Sequence, residues 1–415
     1  MNNSALSSRY YLIYLVGNTI SLHGLWIYRV ALAWYAWQLT GSELWVGIVA
    51  FTQFAPAVVF GPVFGVLADR FDRRAASLLI NSVSIINMSL LGFLTYLGSV
   101  DIVVLTMLSL MQGVLDGAHM PVRMSIVPNL VNKNQLHNAI AITSISFNVS
   151  RFVGPAIAGV IIAKFGVATA FAVNGVSYLS LIAAMLIVRL NPAAERKLRH
   201  SGVWQELKDG VRYVRQHRRI RAVLVIIALA SVFGRGALEM LPAFADAIYQ
   251  RGSVALAILT SATGAGAILT GLALSRGTDW LTTNVVRLAA AVGGILIAAL
   301  GLLQNFYAAV AIVASLGVIL SLCGVGSQIL IQTMVDDEVR GRVSSIWGMI
   351  AFGGTALGGL IVGTTATVWG LQNAVLVTGV VCAVAAAASA RKKVGTPMHG
   401  TKLRKDKTPK KTRLP

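Results

Sequence analysis

The sequence predicts an all-α membrane protein with twelve transmembrane helices in two six-helix pseudo-symmetric halves. Three observations predict it. Of 415 residues, 56% are hydrophobic and only 12% charged, and mean hydropathy is +0.73, whereas soluble domains carry about a quarter charged residues. Apolar runs recur along the whole chain, each long enough to cross roughly 30 Å of hydrocarbon. The cations fall on one side of these runs.

The runs read as helices because barrel strands need only about ten residues and alternate in polarity. Their expected limits are 10–40, 43–68, 75–97, 101–129, 138–163, 168–190, 220–249, 253–275, 285–303, 306–333, 344–367 and 370–390. The first run lacks a small-residue cleavage site, so a removed signal peptide is not expected. With the N-terminus inside, the cytoplasmic segments collect 28 of the 35 Lys and Arg, ten of them after residue 390. The opposite face keeps Lys164 and Arg251. The positive-inside rule then predicts a multi-pass protein of the cell (cytoplasmic) membrane with both termini cytoplasmic.

A thirty-residue segment with many cations separates spans six and seven. It divides the chain into an N-terminal half (1–190), a cytoplasmic linker (191–219), a C-terminal half (220–390) and a basic tail (391–415). From Val203 the linker has helical periodicity, with Trp204, Leu207, Val211 and Val214 on one face. The stretch "FVGPAIAGVIIAKFG" (152–166) aligns at an offset of 200 residues with "FGGTALGGLIVGTTA" (352–366), as expected of an internal duplication. The tail is expected to be disordered and to meet anionic lipids. No aromatic residue interleaves with its charges, so nucleic acid is not expected as a partner.

Span two ends in "GVLADRFDRR" (65–74). Gly65, Asp69, Arg70, Arg73 and Arg74 resemble the signature loop between helices two and three of the major facilitator superfamily, with Asp72 where a second glycine is expected. The resemblance implies that Asp69 caps span eleven and that the arginines bridge neighbouring helix ends in one of two conformations. The bland alternative is positive-inside anchoring around a tight turn. The second-half counterpart, "GLALSRGTDW" (271–280), has Ser275 where the aspartate would stand.

Gly154, Pro155 and Gly159 in span five resemble the superfamily's antiporter motif, although Ala158 replaces one glycine. Leu105, Gln112 and Gly113 resemble a proton-antiporter pattern whose arginine is Ser109 here, so that residue's role does not carry over. Together with the texture of spans four, five and eleven, these stretches resemble the enterobactin-exporter and macrolide-efflux branch over about residues 10–390. The resemblance implies a secondary transporter with no cofactor, working as a monomer, with spans one, four, seven and ten lining the cavity.

Ionisable groups in hydrocarbon are costly and so mark candidate sites. Asp116 and Glu239 are the acids well inside the spans and the proton-coupling candidates. Arg29, Arg151 and Arg235 lie at similar depth and, with Trp26, Phe147, Gln328 and Gln332, are the substrate-cavity candidates. Arg235 and Glu239 are spaced to pair with each other on one helix face, and the aromatics can equally be packing residues. Three arginines against two acids leave a surplus of positive charge, which favours an anionic, siderophore-like amphiphile. The expected function is proton-coupled export of such a molecule by alternating access. The alternatives are multidrug or macrolide efflux or lipid-like substrate transport, and, further off, a channel or receptor. No metal-ligand cluster, phosphate loop or nucleophile–base motif points to an enzyme or to a bound metal.

Overall fold

Backbone inside hydrocarbon must satisfy its own hydrogen bonds, and a helix does so within one segment. A computed structural model describes residues 4–70, 72–190, 203–336 and 339–389. The side chains of residues 62, 65–70, 133, 203, 204 and 206 lie outside that description. So do most of the linker before Val203 and the whole basic tail. Among the described residues the regular elements are all helical.

The first four are α1 (Arg9–Thr40), α2 (Glu43–Arg70), α3 (Arg73–Tyr96) and α4 (Ile102–Ile126). Helix α5 (Leu136–Ile187) is 52 residues long but breaks at Gly166, where φ is 81° and ψ 171°. That conformation penalises a Cβ, so glycine joins two limbs, 136–165 and 167–187. The short helix α6 (Val203–Gln216) precedes α7 (Arg218–Ile248), which contains π-helical turns at Ala230–Arg235 and Phe244–Ile248. The last five are α8 (Gly252–Ser275), α9 (Thr283–Leu302), α10 (Phe306–Met334), α11 (Arg340–Trp369) and α12 (Leu371–Ala388).

Among the described residues, ten helices are long and apolar enough to cross a membrane. Asn18, His23 and other polar residues keep α1 out of that set, and α5 counts there once although it has two limbs. Adding α1 and counting both limbs gives twelve segments.

Lipid tails are as apolar as leucine, so close backbone approach, rather than oil-like exclusion, holds such helices together. Helix α1 packs along α5, α2 along both α4 and α11, α8 along α5 and α10, and α9 along α12. Glycines make the approach possible. A Cβ at Gly264 of α8 would lie 2.6 Å from Phe152 Cα of α5, and one at Gly47 of α2 would lie 2.6 Å from Gly359 O of α11.

The α2–α11 contact is tight at the end of the bundle that holds Trp37, where a Cβ at Gly363 would meet Glu43 O at 2.5 Å. Trp37 Nε1 also donates to Asp246 Oδ2 there (2.9 Å), tying α1 to α7. Toward the other end, Gly61 of α2, Gly271 of α8 and Gly348 of α11 meet no described residue within 4 Å.

Helix α6 docks on that second end. Asp209 pairs with Arg342 of α11 at 3.6 Å, and Tyr213 Oη donates to Asp336 Oδ2 beyond α10 (3.0 Å). Leu207 and Val214 pack against the core. Val211, expected on the same face, is instead 38% exposed. The closest approach is at Gly210, over Ile346 and Arg342, which turns Val211 outward.

Candidate functional site

Helical spacing sets out the site. Trp26 and Arg29 share a face of α1, Phe147 and Arg151 share a face of α5, and Arg235 and Glu239 lie in the middle of α7. Trp26 is the hub. Its ring meets Phe147 edge-on, with centroids 5.9 Å apart. The Arg29 guanidinium carbon lies 4.9 Å from the Trp26 centroid and 5.2 Å from that of Phe54 on α2. Arg151 lies 5.6 Å from the Trp26 ring. Gly154 makes room for this arrangement, since a Cβ there would come within 2.5 Å of Trp26 Cβ. An aromatic face attracts a guanidinium through its quadrupole without neutralising it.

Arg235 reaches α10, where its Nη2 lies 2.6 Å from the position of a Cβ on Gly324. Glu239 packs over Gly359 of α11. The charged neighbours of Glu239 are Arg29, Arg235 and Arg151, so four side chains from three helices make one electrostatic cluster with two more positive than negative charges. Among the described residues none of the four makes an ion pair within 4.0 Å. The Arg235–Glu239 pair that their spacing allows is therefore absent among the described residues. The π turn ending at Arg235 widens the helix, and Pro242 lacks the N–H that would continue it, so the residues lose ordinary i, i+4 register. Arg29 and Arg151 each keep a buried Nε without a hydrogen-bond partner among the described residues.

Asp116 belongs to a second network, whose link to the first is Arg29. Its Oδ1 accepts from Gln112 Nε2 (3.0 Å), which also donates to Tyr178 Oη (3.0 Å). Asn87 Nδ2 donates to Gln112 Oε1 (3.1 Å). His119 stacks on Tyr178 with centroids 5.9 Å apart, and Arg123 donates to Ser21 Oγ at 3.1 Å. The charged neighbours of Asp116 are Arg29 and Arg123, and its Oδ2 is buried without a partner among the described residues. Ser109, at the arginine position of the antiporter pattern, is fully buried and bonded to Thr52 Oγ1 at 2.7 Å.

The remaining candidates fall elsewhere. Gln328 and Gln332 lie one and two turns beyond Gly324 on α10. Gln328 is half-buried, Gln332 is exposed, and neither hydrogen-bonds to the arginine cluster. Pro155 lies within the first limb of α5, and Gly159 is in close contact with Ala257 of α8. Gly65, Asp69 and Arg70 lie in the last turns of α2, but their side chains, and Phe71, are outside the described residues. Asp72 caps α3, accepting from Ala75 N at 2.7 Å, which explains an aspartate where the pattern has glycine. Arg74 Nη2 donates to Leu186 O at the end of α5 (2.6 Å), while the buried Arg73 Nε has no partner among the described residues.

A family model described as "Transmembrane secretion effector" matches residues 3–410. The chain belongs to this family of the major facilitator superfamily. Among relatives of this secretion-effector chain is the staphyloferrin A transporter of Staphylococcus aureus, 25% identical over 86% of this chain and 89% of that protein. Macrolide efflux protein A of Streptococcus pyogenes is 22% identical, covering 82% and 85%. The enterobactin exporter EntS of Escherichia coli is also 22% identical, covering 78% and 74%. The fold of this chain matches the nucleoside transporter NupG with TM-score 0.73 and 14% identity over 92% of this chain and 99% of that one. A bacterial homologue of the human lysosomal transporter Spinster, in an inward-facing conformation, matches with TM-score 0.70 and 15% identity over 92% and 96%.

Sequence reading missed Phe54, His119, Tyr178 and Gly324, and it named Gln112 only as part of the antiporter-like pattern, not as a partner of Asp116. One signal was available: Gln112, Asp116, His119 and Arg123 are spaced four, three and four, so they form a polar stripe along α4. Gly324 has no such signal, because its importance lies in the space that Arg235 occupies.

Proposed function

We propose that this transporter exports a small anionic amphiphile of the carboxylate or catecholate metallophore class. The observation that carries this reading is the Arg29, Arg151, Arg235 and Glu239 cluster around Trp26. It holds a net positive charge between helices, and the Arg29 and Arg151 guanidiniums are held by rings rather than by acids. Such a site attracts an anion, and Trp26, Phe54 and Phe147 offer an apolar surface beside it. Relatives that carry staphyloferrin A and enterobactin fit the same chemistry.

In this reading residues 1–190 and 220–390 are two six-helix halves that rock about the site. Both termini are cytoplasmic in the cell membrane, and one chain is a complete unit. The tight Trp37 end then faces outward and the looser end faces the cytoplasm, the state from which an exporter loads. Inward proton movement drives the cycle, with Asp116 and Glu239 as carriers, and the Gly65–Arg74 loop biases the equilibrium. A second reading, efflux of macrolides or other drugs, has support from the aromatic surface and from the macrolide-efflux relative.

Thermal unfolding of the purified protein with matched panels of ferric-chelator anions, cationic drugs, macrolides and lysolipids separates the two. A ligand of the folded state raises Tm by mass action. Anions are expected to raise it by several degrees, and Arg151→Ala is expected to abolish the shift. Stabilisation by macrolides or cations alone would overturn the metallophore reading and leave the drug-efflux one.

A further inference from the structure

The outward face of α6 is not used by the site above. Lys208, Val211, Arg212 and Arg215 recur at three- and four-residue intervals and are all exposed, while the opposite face is docked on α11 and bonded to Asp336 beyond α10. With Leu207, these residues line an open groove of about 420 Å³. Its floor is apolar and its rim cationic. Arg218, Arg219 and Arg221, all exposed, continue the charge into the first turn of α7, and the Arg221 guanidinium donates to Arg215 O at 3.3 Å. Asp209, the carboxylate described in this stretch, is shared between Arg342 (3.6 Å) and Arg212 (3.7 Å).

We infer that this groove binds the headgroup of an anionic phospholipid. Membrane-crossing α7 starts two residues after α6 ends, so the groove lies at the edge of the bilayer, within reach of headgroups. A phosphate meets the guanidiniums of Arg212 and Arg215, which match its geometry. Lys208 adds a point charge, and Val211 and Leu207 face the glycerol and upper acyl region. Val211, turned outward by the docking at Gly210, thereby gains an apolar partner. A phosphate that draws Arg212 away leaves Asp209 to Arg342, which strengthens the hold of α6 on α11. Each cation near an anionic leaflet is worth roughly a fivefold change in partition, and three act together here. The site does not depend on what the protein carries.

The test uses the full-length protein equilibrated in mixed micelles with equal phosphatidylglycerol and phosphatidylcholine, re-isolated, and its retained lipids counted by mass. Wild type is expected to retain phosphatidylglycerol over phosphatidylcholine by at least about fivefold. The triple variant Lys208→Gln, Arg212→Gln, Arg215→Gln should lose most of that preference, and Arg212→Lys with Arg215→Lys should keep most of it. Single Arg212→Gln and Arg215→Gln changes should each remove part, so the test stands even if the triple variant does not assemble. No preference in wild type would overturn the proposal, as would an unchanged preference in the glutamine variants. A preference lost only when the ten tail cations are neutralised would assign the lipid to the tail instead.

Discussion

Asp116 and Glu239 lie in different surroundings although their depths are similar. Glu239 is ringed by three arginines, whereas Asp116 is hydrogen-bonded to Gln112 and reaches the arginines electrostatically through Arg29. In the proposed cycle the second oxygen, which has no donor among the described residues, takes a proton, and Arg29 is then free to turn wholly to an anionic substrate. Asp116→Asn keeps the Gln112 contact but removes the charge. Proton-driven transport in liposomes should fall at least about a hundredfold, a loss of nearly 3 kcal/mol, while substrate exchange without a gradient persists. Full proton-driven activity in the variant would take the coupling role from Asp116.

Helices α5 and α8 place Arg151 through glycine contacts rather than through side-chain bonds. At Gly264 a Cβ would meet both Phe152 Cα at 2.6 Å and Arg151 O at 2.8 Å, so the backbone that carries the arginine rests directly on α8. Because the clash is with backbone, Gly264→Ala should already part the two helices, cost about 1–3 kcal/mol of stability and lower both Tm and transport, and Gly264→Leu should do so further. Melting curves and transport measured on both variants check this. Wild-type Tm and transport in Gly264→Ala would mean that the interface gives way without moving Arg151. The linker helix shows the same control by a small residue, since Gly210 decides which face of α6 is docked and which is free.

Across the whole bundle, the Trp37 to Asp246 bond lies where the proposed halves meet at their tight end. Trp37 is buried and Asp246 exposed, so losing the bond should cost about 1 kcal/mol and not more. That is enough to change the ratio of two conformations roughly fivefold. Trp37→Phe keeps an aromatic ring and removes the donor. It should raise the labelling rate of a cysteine put in place of the buried Val46 of α2 about fivefold. An unchanged rate would show that backbone contact between α2 and α11 holds this end alone.

The crossing segments were legible in the sequence because apolar length is a property of the local chain, and a bilayer reads it one segment at a time. Most expected limits lie within a few residues of the observed helices. The antiporter-like glycine pattern pointed to close packing for the same reason, since a missing side chain is visible in one dimension. Depth also follows from residue count, so Arg29, Asp116, Arg151, Arg235 and Glu239 stood out together. Their neighbours did not. Which way each helix is turned, and what lies across from it, depends on contacts between distant segments. Only the folded chain places Trp26 between two arginines, breaks the Arg235–Glu239 register ahead of Pro242 and sends Asp116 to Gln112. Hydropathy determined what enters the membrane, and the rotation and close approach of the helices decided which buried charges meet.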